Sequence, residues 1–297
     1  MKYKMSFKYL INPGHSACAG CGELLAMRHV LQAAGENTIL TNATGCSEVT
    51  TSRFPMSSFK VPWIHANFEN SSSVASGIYH ALKNKGKGED VNVIAWGGDG
   101  ATYDIGLGLL SGMWERGENI LYVCFDNEAY MNTGVQASGS TPLNTNTTTT
   151  PPGEVSFGND LRKKDMLGIA LAHKCTYVAS ATVGNLIDIE NKVKKALTIK
   201  GPKYLQILVT CVPGWHTESK DTIKVSRLAQ QTALYPVVEY VNGELTNVAK
   251  APNPRPKVEE YLKLQGRYKH LFKPTENRKK LDELQSIADA NAKKFNI

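Results

Sequence analysis

Val91-Asn92-Val93-Ile94-Ala95-Trp96-Gly97-Gly98-Asp99-Gly100, followed a helix's length later by Ile120-Leu121-Tyr122-Val123-Cys124-Phe125-Asp126-Asn127, is the stretch that decides the fold. Each half is a short apolar run that stops at turn or polar residues, the pattern of a strand buried on both faces. Between them, about Asp104 to Arg116 reads as a helix, with Gly117 as its stop. Strand, glycine-rich turn, helix and strand make a βαβ unit. A crossover of that length implies parallel pairing, and so an α/β fold with a parallel sheet flanked by helices.

The flanking sequence extends the pattern. Leu24 to Leu31 places apolar residues at helical spacing after Cys18-Ala19-Gly20-Cys21, Asn37 to Asn42 reads as a short strand ending near Cys46, and Ser72 to Lys83 reads as a helix. On the other side come a helix around Met166 to His173, a strand at Tyr177 to Ala179, a helix at Asn185 to Leu197 and a strand at Tyr204 to Val209 that delivers Cys211. Gly134 to Gly153 is rich in Thr, Ser, Asn, Pro and Gly and predicts a long ordered loop or a lid. From about Trp215 the pattern loosens, and Pro252-Asn253-Pro254-Arg255-Pro256 breaks the chain. Beyond it, Val258 to Ile297 reads as charged helices, with Tyr261, Leu262, Leu264, Tyr268 and Leu271 giving one buried face. The expected organisation is an α/β domain over 1–215 and a helical C-terminal extension over 216–297 that packs on another subunit.

At 297 residues, 41% hydrophobic and 21% charged, the chain can bury a full core. No apolar run approaches the roughly 20 residues needed to cross a bilayer, and Met1-Lys2-Tyr3-Lys4-Met5 lacks the apolar core of a signal peptide. The expectation is a soluble, cytoplasmic protein with no membrane partner. Of the formal charge of +7, the residues from Arg255 onward supply +5, as 11 Lys and Arg against 6 Asp and Glu. No aromatic-interleaved basic motif accompanies that tail, so no nucleic-acid partner is expected. An acidic redox partner or acidic neighbouring subunits would complement it.

Two stretches carry chemistry. A Gly98-Asp99-Gly100 turn at a strand end lets backbone amides approach a pyrophosphate while the Asp99 carboxylate holds the divalent cation that neutralises it. Asn127, separated from Gly100 by 26 residues, offers a neutral oxygen to the same ion from the adjacent strand. Mg2+ prefers six oxygens, so diphosphate oxygens, a backbone carbonyl and water would complete the set. Six cysteines in a chain this long do not form a disulfide framework. Cys124 and Cys175 read as core, whereas Cys18, Cys21, Cys46 and Cys211, spaced by 3, 25 and 165 positions, read as a ligand set. Zinc and a 4Fe-4S cluster both accept four thiolates, and a CxxC pair does not choose between them. The metal-pyrophosphate turn does: thiamine-dependent redox chemistry releases electrons one at a time, a task for the cluster and not for redox-inert zinc.

In these stretches the sequence resembles the beta, thiamine-binding subunit of the 2-oxoacid:ferredoxin oxidoreductases, of which pyruvate:ferredoxin oxidoreductase is the best-known member. The resemblance rests on Gly14-His15-Ser16-Ala17-Cys18-Ala19-Gly20-Cys21-Gly22, on Asn42-Ala43-Thr44-Gly45-Cys46, and on Gly98-Asp99-Gly100 running to Asp126-Asn127-Glu128-Ala129-Tyr130-Met131-Asn132-Thr133-Gly134; it extends from about Leu10 to Trp215. It implies the thiamine-diphosphate-binding fold of pyrophosphate type. It also implies a cofactor site of Gly45, Cys46, Phe68, Gly98, Asp99, Gly100, Asn127, Ala129 and Thr133, with Mg2+ on Asp99, Asn127 and the Ala129 carbonyl. Cys18, Cys21, Cys46 and Cys211 would hold the cluster beside the thiamine, and Asn132 would hydrogen-bond the substrate's carbonyl or carboxylate. His15 and His65 are further acid-base candidates, His15 more in keeping with a structural role.

The reaction the resemblance implies is oxidative decarboxylation of a 2-oxoacid, or its reverse, with electrons passed singly to ferredoxin and the acyl group to coenzyme A. Pyruvate is the default substrate. Ala137 stands where a basic residue is familiar in the family, which keeps 2-oxobutyrate or oxalate as alternatives, oxalate needing no coenzyme A. A second α/β domain that would supply the glutamate for the thiamine N1′ atom is missing from the sequence. That glutamate and the substrate-binding arginines are therefore expected on an alpha-type partner subunit, alongside a further iron-sulfur subunit or domain. From other classes, a non-redox thiamine decarboxylase or synthase leaves the four cysteines unused, and a zinc-stabilised interaction module leaves the Gly-Asp-Gly turn unexplained.

Overall fold

Both apolar runs that flank Gly98-Asp99-Gly100 are strands of one sheet in the computed structural model, which describes residues 9–53, 57–88 and 90–297. The N-terminal Met1 to Met5, read above for a signal peptide, lies outside the described residues. The strands are β1 (Thr38–Ala43), β2 (Trp63–Ala66), β3 (Asn92–Gly98), β4 (Leu121–Asp126), β5 (Tyr177–Thr182), β6 (Lys203–Leu208), β7 (Val238–Val241) and β8 (Glu244–Val248), in the spatial order β2-β1-β3-β4-β6-β5-β7-β8. The first six run parallel; β7 and β8 close one edge antiparallel. The helices are α1 (Gly22–Ala34), α2 (Cys46–Val49), α3 (Ser71–Asn84), α4 (Leu107–Glu115), α5 (Met166–Ala172), α6 (Leu186–Thr198), α7 (Val212–Trp215), α8 (Thr222–Gln231), α9 (Val258–Leu262) and α10 (Arg278–Phe295).

Alternation along the strands explains why the runs are apolar throughout. Ile94, Trp96, Leu121, Val123 and Phe125 face one side, where α1 and α6 cover them; Val93, Ala95, Tyr122 and Cys124 face the other, beneath α3, α4 and α5. Both sides are dry, so both residue parities are mainly apolar. Cys124 and Cys175 are buried in the second of these cores. Among the described residues no helix is long and apolar enough to cross a membrane.

Three features depart from the local reading. The helix expected from Asp104 begins instead as a π-helical turn, Gly100–Ile105, and α4 proper starts at Leu107. Such turns are rare and frequent at functional sites; here it follows directly on Asp99. Edge strand β2 and the hairpin β7-β8 were not legible, being four or five residues long, with β2 and β8 largely exposed. Residues 216–297, expected to pack on another subunit, pack first on this chain: Tyr261, Leu262, Tyr268 and Leu271 join Leu208, Trp215, Val225 and Leu284 in a third core. Trp215 and Tyr261 meet edge to face at 6.5 Å. The apolar stripe of the extension is thus covered within this chain, by other parts of residues 216–297 and by the end of the α/β body.

Candidate functional site

Parallel pairing sends the C-terminal ends of β1, β2, β3, β4 and β6 to one edge of the sheet. There lie Gly45 and Cys46 after β1, Phe68 after β2, Asp99 and Gly100 after β3, Asn127 to Ala129 after β4, and Cys211 after β6. Strand order reverses between β1 and β3, and the crevice outside such a switch point is where open α/β sheets take ligands.

Asp99 is 1% exposed. Burial and the neighbouring Asp126 carboxylate push its acid well above the usual carboxylate range. Its Oδ1 accepts the backbone N–H of Asn127 at 3.3 Å, and its Oδ2 accepts the hydroxyl of Ser138. The Asn127 side chain donates its nitrogen to Glu23 Oε2 at 3.4 Å. That setting points its oxygen at Asp99 Oδ1, 2.9 Å away, and at the Ala129 carbonyl, 2.7 Å away. With the amide so turned, three oxygens face one another. Adjacent ligands of an octahedral Mg2+ at 2.0–2.1 Å stand about 2.9 Å apart, so a divalent cation fits this trio. Turning the amide over satisfies the same atoms without a cation, its nitrogen donating to both oxygens. The Gly100 backbone lies bare because the Tyr130 ring fills the space beside it: a Cβ there would fall 2.3 Å from a ring carbon. Tyr130 is held by Asp104 Oδ2 at 2.9 Å and faces Phe68, ring centres 5.8 Å apart.

The four candidate cysteine ligands sit on three loops, Cys18 and Cys21 before α1, Cys46 after β1 and Cys211 after β6. Cys18 and Cys21 share a turn closed by Cys21 N–H to Cys18 O at 3.1 Å; Cys21 and Cys211 each accept a backbone N–H at the start of a helix, from Leu24 at 3.5 Å and Gly214 at 3.4 Å. Burial pushes the Cys21 thiol up to about 12 and the Cys211 thiol to about 11, and raises Cys46 too. The thiols also feel one another, Cys46 being raised further by Cys211, Cys21 and Cys18. Among the described residues no three His, Cys, Asp or Glu side chains are gathered as a single-ion site as they stand.

Glu23 joins the two halves, and sequence reasoning missed it. It is buried, its acid raised by desolvation to about 7, and its charge acts on Cys21, Cys46 and Cys211 while its Oε2 holds Asn127. The signal was its place two residues after the CxxC, in the first turn of α1, where an acid otherwise reads as a favourable end charge. Ser138 and Ser140 were also missed; their hydroxyls bind Asp99 and Asp126 from the 134–153 segment, which is a folded loop around β4.

Asn132 is exposed on the turn after Tyr130, and Thr133 bonds Gln136 at 2.7 Å. His65 sits on β2 against the Thr44 hydroxyl at 2.7 Å; His15 lies 3.3 Å from the Arg28 guanidinium, a structural pairing.

The chain is similar to known proteins. The family model "Thiamine pyrophosphate enzyme, C-terminal TPP binding domain" matches residues 43–207. Pyruvate synthase subunit PorB of Methanosarcina barkeri is 51% identical over 294 residues, 99% of this chain and 99% of the relative. Ketoisovalerate oxidoreductase subunit VorB of Pyrococcus abyssi is 45% identical over 268 residues, 88% and 85% of the two chains. A solved 2-oxoglutarate:ferredoxin oxidoreductase from Magnetococcus marinus superposes with a TM-score of 0.59 at 22% identity, covering 90% of this chain and 95% of that one, a likeness of fold. The chain belongs to the family of thiamine-pyrophosphate-binding subunits of the 2-oxoacid:ferredoxin oxidoreductases.

Proposed function

We propose that, within this family, the chain is the thiamine diphosphate- and 4Fe-4S-binding subunit of a cytoplasmic pyruvate:ferredoxin oxidoreductase, acting in oxidative decarboxylation or in synthesis. The observation that carries this reading is the meeting of two donor sets at one sheet edge. Asp99, Asn127 and Ala129 contribute oxygens, Cys18, Cys21, Cys46 and Cys211 contribute thiols, and Glu23 touches the first set and acts electrostatically on the second.

In this reading Asp99, Asn127 and the Ala129 carbonyl would hold Mg2+, the Gly98 to Gly100 backbone would receive the pyrophosphate, and Cys18, Cys21, Cys46 and Cys211 would hold the cluster. Thiamine diphosphate bound there supplies the bond chemistry of 2-oxoacid decarboxylation, and the cluster a one-electron exit. The chain's own part is placement. Phe68 and Tyr130 pack together beside Gly100, and Asn132, exposed on the turn after Tyr130, would offer its amide to a substrate carbonyl or carboxylate. Because the buried thiols are protonated, ligation expels their protons, and cluster loading is pH-dependent. The N1′ glutamate and substrate arginines come from an alpha-type subunit, and electrons leave through a further iron-sulfur subunit to ferredoxin. Pyruvate is favoured by the pyruvate synthase relatives. A sibling substrate is the second reading, resting on uncharged Ala137 in the loop beside Gln136.

Anaerobic purification with and without the partner subunits tests the proposal. The assembled enzyme is expected to be brown, to bleach on reduction, to contain thiamine diphosphate and to reduce ferredoxin with pyruvate, while the single chain turns over no 2-oxoacid. Serine at position 18, 21, 46 or 211 should lose or degrade the iron centre; Cys124→Ser and Cys175→Ser should keep it. A colourless assembled enzyme, or turnover by the single chain, overturns the reading.

A further inference from the structure

Glu128 separates the two loop oxygens of the cation trio, those of Asn127 and Ala129, and its backbone lies in the left-handed region at φ 69°. A non-glycine residue there needs surroundings that hold it. The hold comes from distant parts of the chain. The Glu128 carboxylate, 4% exposed, receives Lys163 Nζ on Oε1 at 2.9 Å and Arg267 Nη2 on Oε2 at 2.6 Å, and its carbonyl accepts the Thr141 hydroxyl at 2.8 Å. Lys163 also grips Asp126 at 2.6 Å.

Arg267 is the one of these that belongs to the C-terminal segment. It is 1% exposed, in the 3-10 turn Gly266–Leu271, and its Nε is turned toward Gln265 Oε1 at 2.9 Å. Its guanidinium lies 3.8 Å over the Trp215 ring, and Trp215 Nε1 donates to the Asn127 carbonyl at 2.7 Å. One buried cation therefore fixes the loop twice, through the Glu128 side chain and through the ring bonded to Asn127. A planar guanidinium suits that double task, stacking on a ring while its edge pairs with a carboxylate.

We propose that Arg267 is a positioning residue for the cation site, holding Asn127 and Ala129 in register for the divalent cation that carries thiamine diphosphate. The inference rests on the cation reading of Asp99, Asn127 and Ala129. Residues that orient metal ligands typically change metal affinity about 10- to 100-fold when removed. In the assembled enzyme, stripped of cofactor, Arg267→Met should raise the Mg2+ concentration that half-saturates thiamine diphosphate binding by about that factor, and weaken Mn2+ binding, read by electron paramagnetic resonance, in parallel. Arg267→Lys should recover part of the loss. Trp215→Phe keeps the ring and removes one donor, so a shift of roughly 2- to 10-fold is expected, the worth of one hydrogen bond; with Arg267→Lys it decides the matter if Arg267→Met does not assemble. A purely structural role predicts lower melting temperature with unchanged Mg2+ and Mn2+ half-saturation in the folded protein, and that result overturns the inference. Asp99→Ala separates the two levels. If it binds cofactor and Mn2+ normally the cation reading itself fails; if it loses them while the Arg267 and Trp215 variants do not, only the positioning role fails.

Discussion

Gly22→Ala adds one methyl group between two candidate cluster ligands. Gly22 opens α1 directly after Cys21, and its N–H donates to the Thr210 carbonyl at 3.1 Å, one residue before Cys211. A Cβ at this position would stand 2.7 Å from Thr210 N, 2.9 Å from Thr210 O and 3.2 Å from Val209 C. All three are backbone atoms at the end of β6, which is hydrogen-bonded on both sides by β4 and β5 and has no free edge along which to yield. To reach ordinary contact the start of α1 must retreat by roughly 0.7 Å, carrying Cys21 from Cys211. Overpacking of this kind costs about 1–3 kcal/mol, and a rigid cluster adds a second penalty because its ligands cannot follow. The expected result is a lowered melting temperature together with a reduced iron-to-protein ratio and visible absorbance after anaerobic purification. Gly108→Ala is the control: it lies exposed in α4 with nothing within 4 Å of its Cβ, and it should leave iron unchanged and stabilise by about 0.5–1 kcal/mol. Full iron and an unaltered melting temperature in Gly22→Ala would show that Cys21 and Cys211 do not share a ligand set.

Asp99→Ala removes the charged member of the oxygen trio; thiamine diphosphate affinity should collapse by calorimetry while iron content persists, and normal affinity would end the pyrophosphate assignment. Glu23 gives a pH signature in the chain free of cluster and cofactor. Its acid is raised to about 7 in the fold from an ordinary 4.5, so the folded state keeps a proton that the unfolded state has lost. Stability is then highest below pH 4.5 on this account and falls by about 3 kcal/mol as pH rises through 7. Glu23→Gln should remove that portion of the slope in denaturant titrations run from pH 5 to 8; an identical slope would mean that Glu23 titrates normally.

The parallel sheet was legible because β3 and β4 are buried on both faces, and a strand with two dry faces is apolar along most of its length. The strand leading to Cys211 was legible for the same local reason and the helix α1 from apolar residues at helical spacing, and the Gly-Asp-Gly turn and CxxC pair are short enough to carry their chemistry in their spacing. Short edge strands β2 and β8 have no such pattern, because an edge strand tolerates polar residues on its open face, and β7 is only four residues long. The site itself was half visible. Asp99, Asn127 and the cysteines could be named, but not that Glu23 is buried between them, nor that Ser138 reaches back to Asp99, nor that Arg267 meets Glu128 across 139 positions. Residue type and periodicity, then, determine which segments must leave water and which carry ligating atoms. Which buried charge meets which is decided by the order of strands and the path of the C-terminal segment, because an ion pair leaves no trace in the spacing of residues that only the fold brings together.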